Sequence, residues 1–187
     1  MGRWEPDARG RLEQAALELY LERGFDNTTV AEIAERAGVT ERTFFRHFAD
    51  KREVLFSGSA PLKDAIVDAA VHAPAAASPM EAVTTGLEVA GAVIQQRGAS
   101  VGKRQAVIAA NPELQERELI KMASWAAALA DGLRQRGVPD PAATLTAEAG
   151  IAAFRVAFTG WVQQPKRRNL PELIRESVEQ LRAATAG

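Results

Sequence analysis

Cysteine is missing from this 187-residue chain, and the sequence holds only two histidines and one tyrosine. Without cysteine there is no disulfide, no thiolate-ligated zinc and no thiol redox switch. His47 and His72 form neither an HExxH pair nor the centre of a nucleophilic triad, so neither enzymatic chemistry nor a metal or other cofactor is expected. An excess of one charge is also lacking. The formal net charge is −1 and the sequence pI about 6.2, which excludes a protein that coats nucleic acid through bulk charge. Any attraction to a polyanion must therefore be local. No apolar run approaches the roughly 20 residues needed to span a bilayer, and the N-terminus has no apolar signal core, so a soluble cytosolic protein is expected. Period-two alternation is absent as well, which leaves an all-α fold.

Against these absences one stretch stands out. Residues 28–52 read TTVAEIAERAGVTERTFFRHFADKR, two short amphipathic helices around a turn at Gly38. Thr29 and Glu32 have capping-box spacing, and Val30, Ile33, Ala34 and Ala37 recur at helical intervals before the glycine. Thr40 supplies a second N-cap, and Phe44 with Phe48, four residues apart, mark the buried face of the next helix. Its outward face then carries Arg42, Thr43, Arg46 and His47, all able to donate hydrogen bonds to phosphates or base edges. Asp50 and Glu53 suggest a further capped helix, which places Lys51 at an N-terminus suited to a phosphate. The layout is that of a helix-turn-helix DNA reader. Arg3, Arg9 and Arg11 could add a flexible basic arm that reaches a neighbouring groove or backbone, the alternative being a disordered N-terminus.

From about Arg9 to Phe56 the chain resembles the DNA-binding domain of the TetR family of transcriptional regulators. The segment ALELYLERGFDNTTV looks like that family's first helix, and TFFRHFADK like its recognition helix and the start of the helix after it. The resemblance implies that Thr40, Arg42, Thr43 and Arg46 face base edges or nearby phosphates, and that His47 and Lys51 hold the DNA backbone. Thr29, at the start of the preceding helix, is counted with them. Phe45 departs from the pattern, standing where many relatives carry a phosphate-binding tyrosine. Having no hydroxyl, it can offer only apolar contact, to a thymine methyl or a sugar.

Residues 1–56 are thus expected to form a DNA-binding domain of about three helices, and residues 57–187 a larger helical domain for effector binding and dimerisation. Capping signals place helices from Ser78-Pro79 to about Arg97, through Val101 to Asn111-Pro112, onward to Gly137-Pro139, and from Asp140-Pro141 to Pro165. A basic turn at Lys166, Arg167 and Arg168 precedes the last helix. The two final helices have broad apolar faces suited to an intersubunit four-helix bundle. Met122, Trp125, Phe154 and Phe158 are candidate linings of an apolar cavity, with Arg104 and Arg155 as anchors for an anionic group. The segment from Lys103 to Gly137 is similar to actinobacterial TetR regulators, which implies an apolar or acyl-CoA-like effector. The expectation is a homodimeric repressor that binds a palindromic double-stranded operator and is released by a small molecule. An effector-independent activator and a helical interaction adaptor are the alternatives.

Overall fold

The computed structural model describes residues 7–164 and 168–186, which contain nine α-helices and no strand. Arg3 of the proposed arm and Lys166 and Arg167 of the basic turn lie outside the described residues. The chain divides into two compact units: residues up to 57 together with 103–116, and 58–102 together with 117 onward. The second stretch of the first unit differs from the expected division, in which everything beyond 56 forms one domain.

In the first unit, α1 (Ala8–Arg23), α2 (Val30–Arg36) and α3 (Glu41–His47) are followed by a 3-10 turn at Glu53–Phe56. Helix α2 starts where its capping box dictates. Thr29 Oγ1 accepts from the Glu32 amide at 3.2 Å, and Glu32 Oε2 accepts from the Thr29 amide at 2.8 Å. It ends at Gly38, whose φ of +68° is a left-handed turn that a side chain would oppose. Thr40 then caps α3 by accepting from the Thr43 amide at 3.2 Å. Phe44, Phe48 and the small Ala34 are buried with Leu12, Leu19, Phe25 and Ile33, so the two short helices are held by a shared core rather than by their own length. Val107, Ile108 and Leu114 complete that core from the end of α6 (Ala99–Ala109) and the first turn of α7 (Pro112–Gln135).

Two local expectations change. The helix expected at Asp50 is the 3-10 turn, with Asp50 Oδ1 accepting from the Arg52 and Glu53 amides at 2.8 and 3.1 Å. Arg9 and Arg11 are not an arm but part of α1. Arg9 Nη2 donates to Ser57 Oγ at 2.7 Å, and Arg11 Nε to the Ala37 carbonyl at 3.1 Å, where it satisfies the end of α2.

The second unit is a helical layer built on α5 (Pro79–Gln96), which packs against α4 (Ser59–Val71), α8 (Ala142–Gln163) and α9 (Leu170–Thr185). Ser78 and Glu81 form the capping box that starts α5. Gly86 lets α5 approach α4 closely, since a Cβ there would strike the Ile66 carbonyl oxygen. Helix α8 buries Ala143, Ala147, Ile151, Phe154, Ala157 and Trp161 along one stripe, with small residues at the tight positions. Helix α8 begins at Ala142, and the Asp140 carboxylate accepts both from Arg134 Nε at 2.7 Å and from the Thr144 hydroxyl in the first turn of the helix at 3.1 Å. No helix among the described residues is long and apolar enough to cross a membrane.

Candidate DNA-reading surface

Arginine chemistry separates the functional face of the first unit from its scaffold. Arg9 and Arg11 are held as described. Arg23 pairs with Glu32 at 2.8 Å, Arg36 with Glu22 at 3.0 Å, and Arg52 with Asp50 at 2.7 Å. Arg104 Nε donates to the Leu55 carbonyl at 2.6 Å, and its guanidinium lies over the Phe56 ring at 5.0 Å. Arg42 and Arg46 on α3 are exposed and have no hydrogen-bond or ion-pair partner among the described residues. Two unpaired cations on one face of a capped helix are donors waiting for an external acceptor.

The other residues expected in the reader fall into distinct places. Thr40 is exposed at the N-cap, and its hydroxyl lies 3.1 Å from that of the half-buried Thr43, so the two share a local hydrogen bond. Thr29 is likewise exposed at the start of α2. Phe45 is exposed beside the two arginines. His47 is half-buried at the end of α3, with Nε2 enclosed and without a partner there.

Lys51 is not brought to this face as a free donor. Its ammonium donates to the carbonyls of Phe25, Asp26 and Thr28 at 2.8, 3.3 and 2.9 Å, and stands 4.4 Å from the Phe25 ring centroid. An ammonium has only three hydrogens. The geometry therefore corrects the expectation of a phosphate contact: Lys51 ties down the loop between α1 and α2. Tyr20 supports the same corner by donating its hydroxyl to the Lys51 carbonyl at 2.6 Å, and burial pushes that phenol well above its ordinary range, with Asp50 adding to the effect.

Comparison with known proteins bears directly on this geometry. Residues 13–57 match the family model described as "Bacterial regulatory proteins, tetR family", and residues 77–186 match that of the "MftR C-terminal domain". The chain belongs to the TetR family of transcriptional regulators. Among relatives, the HTH-type transcriptional regulator TcmR of Streptomyces glaucescens is 42% identical over 76 residues, 41% of this chain and 34% of that protein. The matched stretch thus spans about a third of that relative. A transcriptional regulator from Pseudomonas aeruginosa PAO1 shares the fold with a TM-score of 0.68 at 18% identity, over 99% of this chain and 94% of the other. The SmeT–triclosan complex does so at 0.67 and 18% identity, over 95% and 90%. SmeT is the repressor of the Stenotrophomonas maltophilia multidrug efflux pump SmeDEF. The family and these relatives are transcriptional regulators, not enzymes.

The second unit is less faithful to expectation. Trp125 and Phe154 are buried, with Met122 and Phe158 packed against the same core. Their rings form a ladder: Trp125 to Phe154 at 5.8 Å, Phe154 stacked on Phe158 at 5.9 Å, and Phe158 to Trp161 at 6.4 Å. The two expected anchors do not join them. Arg104 belongs to the first unit and is engaged there, while Arg155 is exposed. Trp161, absent from the expected lining, is buried with its indole N–H unpartnered among the described residues. Its signal in the sequence is its place seven residues after Phe154, on the same helical stripe.

Proposed function

We propose that this TetR-family regulator is a dimeric repressor that reads a palindromic operator through α3 and is released by a small effector in its second unit. The observation that carries the reading is the pair of unpartnered arginines, Arg42 and Arg46, on the exposed face of a helix whose other side is locked by Phe44 and Phe48. Arginine forks suit guanine edges and phosphates, and the N-terminal part of a recognition helix is what meets bases. Thr40 and Thr43 add hydroxyls beside them, and contacts to the DNA backbone are assigned to His47 and to Thr29, whose hydroxyl also donates to Glu32 at 2.9 Å. Leu145 and Val156 support pairing of two chains, because both are 65% exposed on α8 and lie about three helical turns apart on one side.

For the effector, the aromatic ladder and the orphan indole N–H of Trp161 favour an uncharged, flat molecule with one hydrogen-bond acceptor. A buried donor without a partner costs about 1–3 kcal/mol, which a ligand acceptor would recover. An acyl-CoA-like anion is disfavoured, because neither arginine proposed to anchor it is in that core.

Selection from random double-stranded oligonucleotides tests the core of the reading. The enriched sites should be palindromic, with half-site centres about 34–36 Å or a multiple apart. Arg42→Ala should relax the preference at one position of each half-site, at a cost of about 1–3 kcal/mol. Enrichment of nothing at low ionic strength, or a preference indifferent to Arg42, would overturn it.

A further inference from the structure

Phe45 is the exposed large apolar residue of α3, with 54% of its surface open. Its ring is not loose. It stands edge-on to the fully buried Phe44, with centroids 5.4 Å apart and planes at 82°, so the core of the first unit fixes the direction in which it projects. At 100° per residue, Phe45 lies about 60° around the helix from Arg42, and therefore on the same side as the unpartnered guanidinium. A phenyl ring has no polar hydrogen to offer a phosphate and no lone pair to receive one from a base amine. Whatever covers it must be apolar. On the floor of the major groove the apolar group is the C5-methyl of thymine.

We infer that Phe45 is a specificity-determining residue that reads a thymine methyl, so that each half-site carries a fixed thymine next to the base pair met by Arg42. The inference rests on the proposal that α3 enters the major groove and adds the identity of a base that hydrogen bonding alone does not select. It gives the operator a component of recognition that salt does not screen, because no counterion is released by an apolar contact.

The test uses the full chain and the duplex it enriches from random oligonucleotides. Each thymine is replaced in turn by deoxyuridine, symmetrically in both halves, which removes the methyl and nothing else. Burial of one methyl group is worth about 0.8 kcal/mol, so one such replacement should weaken wild-type binding about fourfold per half-site, or about fifteenfold per duplex. Phe45→Ala should bind less tightly and be insensitive to that replacement, and Phe45→Leu should keep part of the sensitivity. Both substitutions favour helix, so α3 should be preserved. The inference is overturned if no thymine is sensitive, or if the sensitivity persists in Phe45→Ala. Failure to enrich any duplex would strike at an earlier step, the entry of α3 into the groove, and is distinguishable for that reason.

Discussion

The ammonium of Lys51 shows how one residue type can serve opposite purposes in the same motif. A lysine after a recognition helix is read from sequence as a phosphate contact, but here three carbonyls of the α1–α2 loop take its three hydrogens. Hydrogen bonds to a charged group contribute about 1.5–3 kcal/mol, so Lys51→Met should lower the melting temperature by several degrees, at about 2–4 °C per kcal/mol. The salt dependence of operator binding should keep its slope. A slope flattened by about one ion would return Lys51 to the DNA-contacting set. Glu32 gives a pH test at the same scale. The Thr29 amide and hydroxyl hold its carboxyl below the usual range, with Arg23 assisting. A folded-state value lower than the unfolded one stabilises above the ordinary glutamate pKa of about 4.3 and is lost as pH falls through the folded value. Melting curves between neutral pH and about pH 3 should therefore fall less steeply for Glu32→Gln than for the wild type. Parallel curves would show that the capping box contributes no acid sensitivity.

At the scale of elements, what could be read in advance was whatever the chain signals locally. The starts of α2, α3 and α5 follow from Thr29, Thr40 and Ser78, each with an amide three residues on. The buried face of α3 follows from Phe44 and Phe48, and the exposed donors from what remains. The pieces that escaped are those fixed by partners distant in sequence. Val107, Ile108 and Leu114 look like any helical apolar residues, and only tertiary packing shows that they finish the core of the first unit. Arg104 reads as an effector-pocket anchor for the same reason, since its acceptor, the Leu55 carbonyl, lies 49 positions away. The carboxylate of Asp140 is shared between Arg134, six residues earlier, and the Thr144 hydroxyl in the first turn of α8, and the arginine's part in this was not legible beforehand. Gly86 belongs to this scale too: inside α5 it looks like a weakness, yet the backbone of α4 occupies the space a side chain would need. Gly86→Ala gains helix propensity, about 1 kcal/mol, but forces the two helices apart at a cost of about 1–3 kcal/mol. The clash with a backbone oxygen cannot be relieved by a rotamer, so a net loss of thermal stability is expected. A calorimetric scan showing a gain would mean that the α4–α5 crossing is softer than its geometry suggests.

The whole molecule joins a reader to a second unit whose α8 carries apolar residues facing outward. One short recognition helix meets only a few base pairs, so useful affinity requires two readers on one duplex. Linking two binding events raises overall affinity by about 10²–10⁴ without any new contact. Under the proposed dimer, that gain depends on residues that never touch DNA. Val156→Glu places a charge in the centre of the α8 face, where burial against a partner would leave it unpaired, whereas in a lone chain the residue is 65% exposed and the substitution costs little. Sedimentation should therefore show the wild type as a dimer and Val156→Glu as a folded monomer. Operator affinity should fall by about 10²–10⁴, while affinity for an isolated half-site stays unchanged. Loss of half-site binding would point to damage in the first unit instead. A variant that remains dimeric would remove α8 from the interface and leave Leu145 and Val156 without the role proposed for them.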